Sequence, residues 1–263
     1  MGRPISGKHA IEVTAFSCVF ERPFSKSSIE ALMTLKETFK EQYPVFSTTN
    51  LVNMRIEHDN VPPRASQATA GVSLQVLKEG QHKPAWSLRA DVNIITVSCF
   101  VYNRWASESS KAIRDLTSVI NIVADDQNPV NHFSLQTVDR FVGGNRTDYK
   151  INQVFNSKSK YLTHYARNAG PLWHIYQGWF EDVRDKKDRL LHNLNLSTNE
   201  TSHGIITTID HNAQYQFIPF ASATDFSNDK YITEIFNILH SRNKEIILNL
   251  LTIKQCRAIG LCK

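Results

Sequence analysis

No apolar run in this 263-residue chain approaches the length of a membrane-spanning helix, so the expectation is a protein with no membrane partner. A signal-peptide core is also missing, because the opening Met1-Gly2-Arg3-Pro4-Ile5-Ser6 has no apolar segment. Cysteine is scarce. Cys18, Cys99, Cys256 and Cys262 are scattered and none forms Cys-x-x-Cys, so the reading is reduced thiols in a cytoplasmic protein, not a disulfide framework. Charge of one sign is lacking too. Thirty Lys and Arg face 25 Asp and Glu, and a net charge of +5 is modest for this length, so the charge balance alone does not mark a nucleic-acid binder.

The chain has no Gly-x-Gly-x-x-Gly, Walker loop, Gly-x-Ser-x-Gly or His-Glu-x-x-His, so the enzyme classes that those motifs mark find no support. Ten histidines are spread out without ligand spacing. His164 and His174 lie in neighbouring extended stretches, but a zinc site there needs two more ligands. Asp125-Asp126-Gln127-Asn128 has the letters of a metal loop. It also follows a helix end and precedes Pro129, where Asp and Asn make turns. Glu108-Ser109-Ser110-Lys111 has the letters of a nuclease centre but sits at a helix start. The expectation is therefore no metal, no cofactor and no catalytic residue visible in sequence, with the enzyme question leaning to no.

What is present is an ordinary globular composition, 41% apolar and 21% charged, with 14 Phe, 8 Tyr and 4 Trp. Period-two alternation predicts strands at 11–20, 50–57, 71–78, 86–91, 94–101 and 133–142. Helical spacing predicts 27–43, with a Ser27–Glu30 capping box and Pro44 as its stop, and 107–124, capped by Ser107. Residues 59–70 read as a loop. Beyond Gly143-Gly144, strands are expected at 161–166, 174–181, 190–196 and 205–209. A polar loop is expected at 197–203 and a tight turn at Asp210-His211-Asn212. A long C-terminal helix is expected, capped by Asp229 or Ser227, and its polar middle, 240–245, reads as a solvated turn or a bend. Thr252-Ile253-Lys254-Gln255 then repeats the capping-box spacing, starting a short helix that ends at Gly260.

Strands arrive in consecutive runs, which favours antiparallel pairing over βαβ crossovers. The fold class expected is α+β, with curved antiparallel sheets packed by helices on one face and two similar halves. Residues 1–150 form an N-terminal half of order β-α-β-β-β-β-α-β. Residues 151–263 form a C-terminal half of antiparallel strands and a long helix, with a soft boundary at 143–157.

The densest charge run is Arg184-Asp185-Lys186-Lys187-Asp188-Arg189, which by default is a solvated loop. Lys158, Lys160 and Arg167 lie nearby in sequence, and Tyr161, Tyr165, Trp173, Tyr176 and Trp179 are interleaved with them. Arg184, Lys186, Lys187 and Arg189 together with these residues would make a basic-aromatic surface for single-stranded nucleic acid, rings on bases and cations on phosphates. The same aromatics fit a protein interface equally well. Arg104-Trp105 and Asp139-Arg140 read as a structural brace, with Arg104 over an aromatic ring or paired with Asp139 across the sheet.

Several stretches carry a resemblance: the Pro4-Ile5 start leading to Ile11-Glu12-Val13, the helix ending Tyr43-Pro44, the Tyr102-Asn103-Arg104-Trp105 junction, Asp139-Arg140-Phe141, and Leu239-His240 with Ile246-Ile247-Leu248. Together they resemble an uncharacterised, sporadically distributed bacterial family of conserved hypothetical proteins of about this length. The resemblance implies a bacterial source, and its patchy distribution is similar to that of mobile-element and phage-defence cargo. It supplies no activity and no site residues. The leading expectation is a non-catalytic interaction module acting with a protein partner, a neighbouring gene product, in a defence or toxin–antitoxin setting. Nucleic-acid binding around 158–189 is the alternative, and an enzyme with a hidden site the third.

Overall fold

The computed structural model describes residues 2–55, 64–183 and 186–262. Its centre is the ten-residue strand β2 (Ile11–Phe20), preceded by the short β1 (Arg3–Pro4). Helices α1 (Lys26–Leu32) and α2 (Leu35–Thr38) lead to a meander of β3 (Val45–Arg55), β4 (Arg64–Leu77), β5 (Pro84–Asp91) and β6 (Ile94–Cys99). Then come α3 (Trp105–Val123), β7 (Val130–Val142) and α4 (His164–Asn168). A second meander, β8 (Trp173–Asp182), β9 (Arg189–Thr201) and β10 (Gly204–Ala221), runs into α5 (Asp229–Leu250) and α6 (Ile253–Ala258).

All the strands join one antiparallel sheet in the order β3-β4-β5-β6-β2-β7-β10-β9-β8, with β1 paired to the end of β7. The protein is thus α+β around a large antiparallel sheet. β2 and β7 lie side by side at its middle, with Phe16 opposite Leu135 and Cys18 opposite Phe133. Each is flanked by the last strand of a meander, β6 on one side and β10 on the other.

Strand alternation explains the core. Phe133 and Leu135 of β7 are buried with Phe16, Cys18 and Phe20 of β2, and they meet the apolar stripes of α3 and α5. Leu116, Val119 and Ile120 come from α3; Ile232, Ile235 and Phe236 come from α5. Rings interlock there, Phe16 with Phe236 at 5.1 Å and Phe133 with Phe226 at 4.9 Å, in edge-to-face geometry. A second cluster under the C-terminal half of α5 gathers Phe155, Leu194, Leu196, Ile246 and Leu250.

Local expectations differ from the structure in several places. The helix at 27–43 is split at Met33 and Thr34, and Ser25, not Ser27, caps it by accepting from the Ser28 amide. α3 starts at Trp105 with Arg104 as its extended N-terminal neighbour, and the Ser107 hydroxyl instead donates to the Arg104 carbonyl. Of the loop expected at 59–70, residues 64–70 are strand, and 59–63 lie outside the described residues. Residues 161–166 are not extended, since Thr163 caps the short α4. Of the 197–203 loop, residues 197–201 are the end of strand β9, and only 202–203 make the turn into β10. Asp210-His211-Asn212 is not a turn but the middle of the 18-residue β10. Its alternation persists because Asp210 faces outward to accept from Gln136 and His211 faces inward under α5. α5 runs unbroken through 240–245, and Asn228 caps it.

One backbone irregularity is dictated by a glycine. Between Thr49/Asn50 on β3 and Gly71/Thr69 on β4 the register slips by one residue. A Cβ at Gly71 would lie 2.0 Å from the Ala90 carbonyl oxygen on β5, so this bulge admits no side chain.

Candidate functional site

A cavity of about 630 Å³ lies where the two ends of the chain meet the C-terminal half of α5. Four local structures build it against β7. The stretch before β2 supplies Lys8, His9 and Ala10. The junction from β6 to α3 supplies Tyr102 and Arg104, because the chain leaves the sheet at Cys99 and re-enters helix only at Trp105. α5 supplies His240, Asn243, Lys244 and Ile247, a run at helical spacing. The turn after α6 supplies Ile259 and Leu261. Gly260 adopts a left-handed φ of +70° there, and the Leu261 amide returns to the Cys256 carbonyl, which turns both apolar side chains onto the cavity wall.

Asp139 of β7 lines this cavity and is 3% exposed. It occupies the inward parity of β7, after Leu135 and Thr137, where an apolar side chain is expected. Among the described residues no hydrogen bond or ion pair reaches its carboxyl group. Burial pushes its pKa up to about 7. At neutral pH it is therefore both a proton donor and an acceptor. The adjacent Tyr102 phenol is raised to about 12, by burial first and then by the negative charge of Asp139. His9 packs edge-on against Tyr102 with ring centres 5.5 Å apart, and its Nδ1 is buried without a partner. His240 is lowered to about 4 by burial and by Lys244, so its imidazole is neutral at pH 7. It stacks on Trp105 at 3.9 Å and 4°.

The cavity opens at its back onto a buried polar relay. The Asn243 side-chain oxygen accepts from the Thr137 hydroxyl at 2.9 Å and from His211 Nδ1 at 2.8 Å. An amide oxygen only accepts, so His211 carries its proton on Nδ1 and its Nε2 is free to accept. It does so from His192 Nδ1, 3.1 Å away. That leaves His192 Nε2 bare, 3.5 Å from the Glu181 carboxylate, which Arg242 holds at 2.6 Å. Burial lowers both imidazoles to about 4, so both are neutral. Trp179 stacks on His192 at 4.9 Å and Tyr161 on Trp179 at 5.2 Å, sealing the relay from that side.

The residues of the expected basic-aromatic surface are distributed differently. On β8 the strand period sends Trp173 and Trp179 to the helix-covered face and Tyr176, 66% exposed, to the other. Tyr161 joins Trp179, and Trp173 packs against Phe155. Lys158, Lys160 and Tyr165 remain exposed, with Lys160 over the Tyr161 ring. Arg167 donates to the Ser159 carbonyl. Lys186 lies over the Tyr215 and Tyr231 rings, Lys187 is exposed, and Arg189 lies over Phe180 on the open face. Arg184 lies outside the described residues.

In the expected brace, Trp105 is held between Phe16 and His240, and its indole N–H donates to Asn237. Arg140 pairs with Glu12 on the neighbouring strand. Among the described residues no ion pair joins Arg104 to Asp139, and Arg104 stands exposed at the cavity mouth. His164 and His174 do not meet; they contact Asn168 and Asn195 respectively. Asp125 accepts from the Gln127 amide in a turn. Among the described residues no group of three or more His, Cys, Asp or Glu could hold a metal ion, and no helix is long and apolar enough to cross a membrane.

Sequence reading missed His9, Lys8, Tyr102, His240, Asn243 and Lys244 as a group. Part of the signal was present: Asp139, His192 and His211 each interrupt the apolar parity of a strand, and Asn243 interrupts the apolar stripe of α5.

The fold and the cavity define an α+β protein with a polar, partly charged chamber on the helix-covered side of its sheet. No protein-family model matches the chain, and no curated protein matches it. Among solved structures it is similar to the di-domain ARO/CYC StfQ from the steffimycin biosynthetic pathway, with 9% identity over 89% of this chain and 96% of that one. The TM-score is 0.16, too low to bear on fold or function.

Proposed function

We propose that this protein is a small-molecule-binding module that works beside a protein partner. Asp139 carries the first half of the reading. A nearly fully buried carboxyl group with no partner in the protein costs folding energy. Such a group, in a cavity of metabolite size, marks a place where a ligand supplies the missing hydrogen bonds. His9 Nδ1, buried and unpartnered beside it, adds a second unmet polar atom. The partner half is supported by exposed aromatics, Tyr165 at 86%, Tyr176 at 66% and Phe180 at 58%. The strand order, with each meander returning its last strand to the centre, supports a chain built of two similar halves.

The test is a thermal-shift screen of small polar metabolites on the full chain. Stabilisation by at least one compound class is expected, together with loss of that shift in Leu261→Trp, which fills the cavity from its wall. A screen in which no compound shifts the wild type would count decisively against binding. Co-purification from native cells checks the partner, and a chain that always elutes alone would remove it.

A further inference from the structure

We infer that the cavity takes a small organic anion, its charged head at the mouth between Lys8, Arg104 and Lys244 and its hydroxyl or amino group at Asp139 on the floor. This rests on the reading of the cavity as a binding site.

The first argument is charge. Three cations line the mouth, and among the described residues none of them forms an ion pair. Elsewhere on this chain cations do find carboxylates. Arg89 pairs with Asp91, Lys111 with Asp115, Arg140 with Glu12 and Arg242 with Glu181. The carboxyl group that lines the same cavity, Asp139, is not drawn to them. The histidines add no negative charge, so Asp139 is the one acid among the lining residues, against three cations. Low-dielectric walls around a one-sign mouth focus its field on an incoming anion.

The second argument is the floor. Asp139 offers an acceptor and, when protonated, a donor, and His9 Nδ1 offers one more polar atom. A bare inorganic anion would leave both unused. A ligand with a hydroxyl or amine a few bonds from its anionic group satisfies both ends of the cavity. The third argument is the wall between them. Ala10, Ile247, Ile259 and Leu261 line it, and their apolar surface suits a short carbon skeleton.

Trp105 supplies a reporter. It stacks on the neutral His240, one helical turn from Lys244. An anion bound at the mouth changes the field on this ring pair, and the indole emission changes with it.

The experiment titrates the full chain with ribose 5-phosphate, 3-phosphoglycerate and citrate, against uncharged ribose and inorganic phosphate, reading Trp fluorescence and melting temperature. Binding by a phosphate or carboxylate carrying a hydroxyl group is expected. It should be tighter than binding of inorganic phosphate and should weaken with added salt. Arg104→Ala and Lys244→Ala are each expected to weaken it about tenfold, the scale of one charge-assisted hydrogen bond, with unchanged circular dichroism. Asp139→Asn should narrow the preference over inorganic phosphate. Trp105→Phe should abolish the emission change while leaving the melting shift. Ribose binding as tightly as its phosphate, untouched by the two cation variants, overturns the anion assignment and leaves the cavity a binding site. No shift with any anion at millimolar concentration overturns the assignment as well. If the metabolite screen also gives no shift that Leu261→Trp removes, the binding reading falls with it.

Discussion

Asp139 is a residue whose presence weakens the fold it sits in. Its folded pKa of about 7 lies above the ordinary carboxylate value of 3.8. By linkage, its contribution is most favourable below pH 3.8, where both states are protonated, and is lost as pH rises to about 7. Asp139→Asn is therefore expected to raise stability at pH 8 by roughly 2 kcal/mol or more, and to change little near pH 4. Urea melts at the two pH values check this; a variant destabilised at pH 8 would mean that the carboxylate has a structural partner. The buried histidines act with the opposite sign. His192 and His211 refuse protons down to about pH 4, while the unfolded chain takes them up from about pH 6.5. Their contribution is complete above pH 6.5 and falls away as pH drops toward 4. The His192→Gln/His211→Gln double variant should flatten the stability slope between those values, an outcome that the same urea melts at intermediate pH will detect. All three residues were legible as anomalies, polar letters on apolar strand parities. What the sequence withheld was which of them share a chamber, because β7, β9 and β10 are brought together only by the sheet.

At the scale of elements, tertiary hydrogen bonds overruled local propensity. The polar middle of α5 resembles a break, yet the helix continues because Asn243 points inward as the acceptor for Thr137 and His211, while Arg242 and Glu245 pair along the surface. Asn243→Leu improves intrinsic helix propensity. It nevertheless strands two buried donors and should cost roughly 2–4 kcal/mol, measurable as a lower urea midpoint with helicity retained. β10 makes the same point, since Asp, His and Asn in sequence look like a turn and are instead held extended by partners on both faces. Gly71 sets a steric limit on another element. Gly71→Val must push a side chain into the β5 backbone. It should cost roughly 3 kcal/mol or more, or prevent folding, and a soluble variant with unchanged melting temperature would refute the bulge geometry.

For the whole molecule, consecutive strand runs were enough to anticipate antiparallel pairing and an α+β class. The helices α3 and α5 were legible from their apolar stripes, Ala112 to Val123 and Ile232 to Leu250. Sheet order was not legible, because the central β2–β7 pair joins strands about 120 residues apart. The same long-range order explains why aromatics adjacent in sequence separate. Trp179 turns into the relay and Tyr176 to the open face. A nucleic-acid surface at 158–189, were it used, would rest mainly on Lys158, Lys160, Lys187 and Arg189, and any affinity there should fall steeply with salt and survive Trp179→Phe. Binding that is salt-insensitive, or lost in that variant, would require a different surface.

The side-chain amide of Gln255 donates to the Gly2 carbonyl and to that of Gln153, while residues of 6–11 and 259–261 both line the cavity. Stretches far apart in sequence thus close the same chamber. A chain clipped by a protease just before β2, or after α6, retains most of the sheet but loses one wall of the chamber. Ligand capture would then report that both stretches are still joined to the sheet.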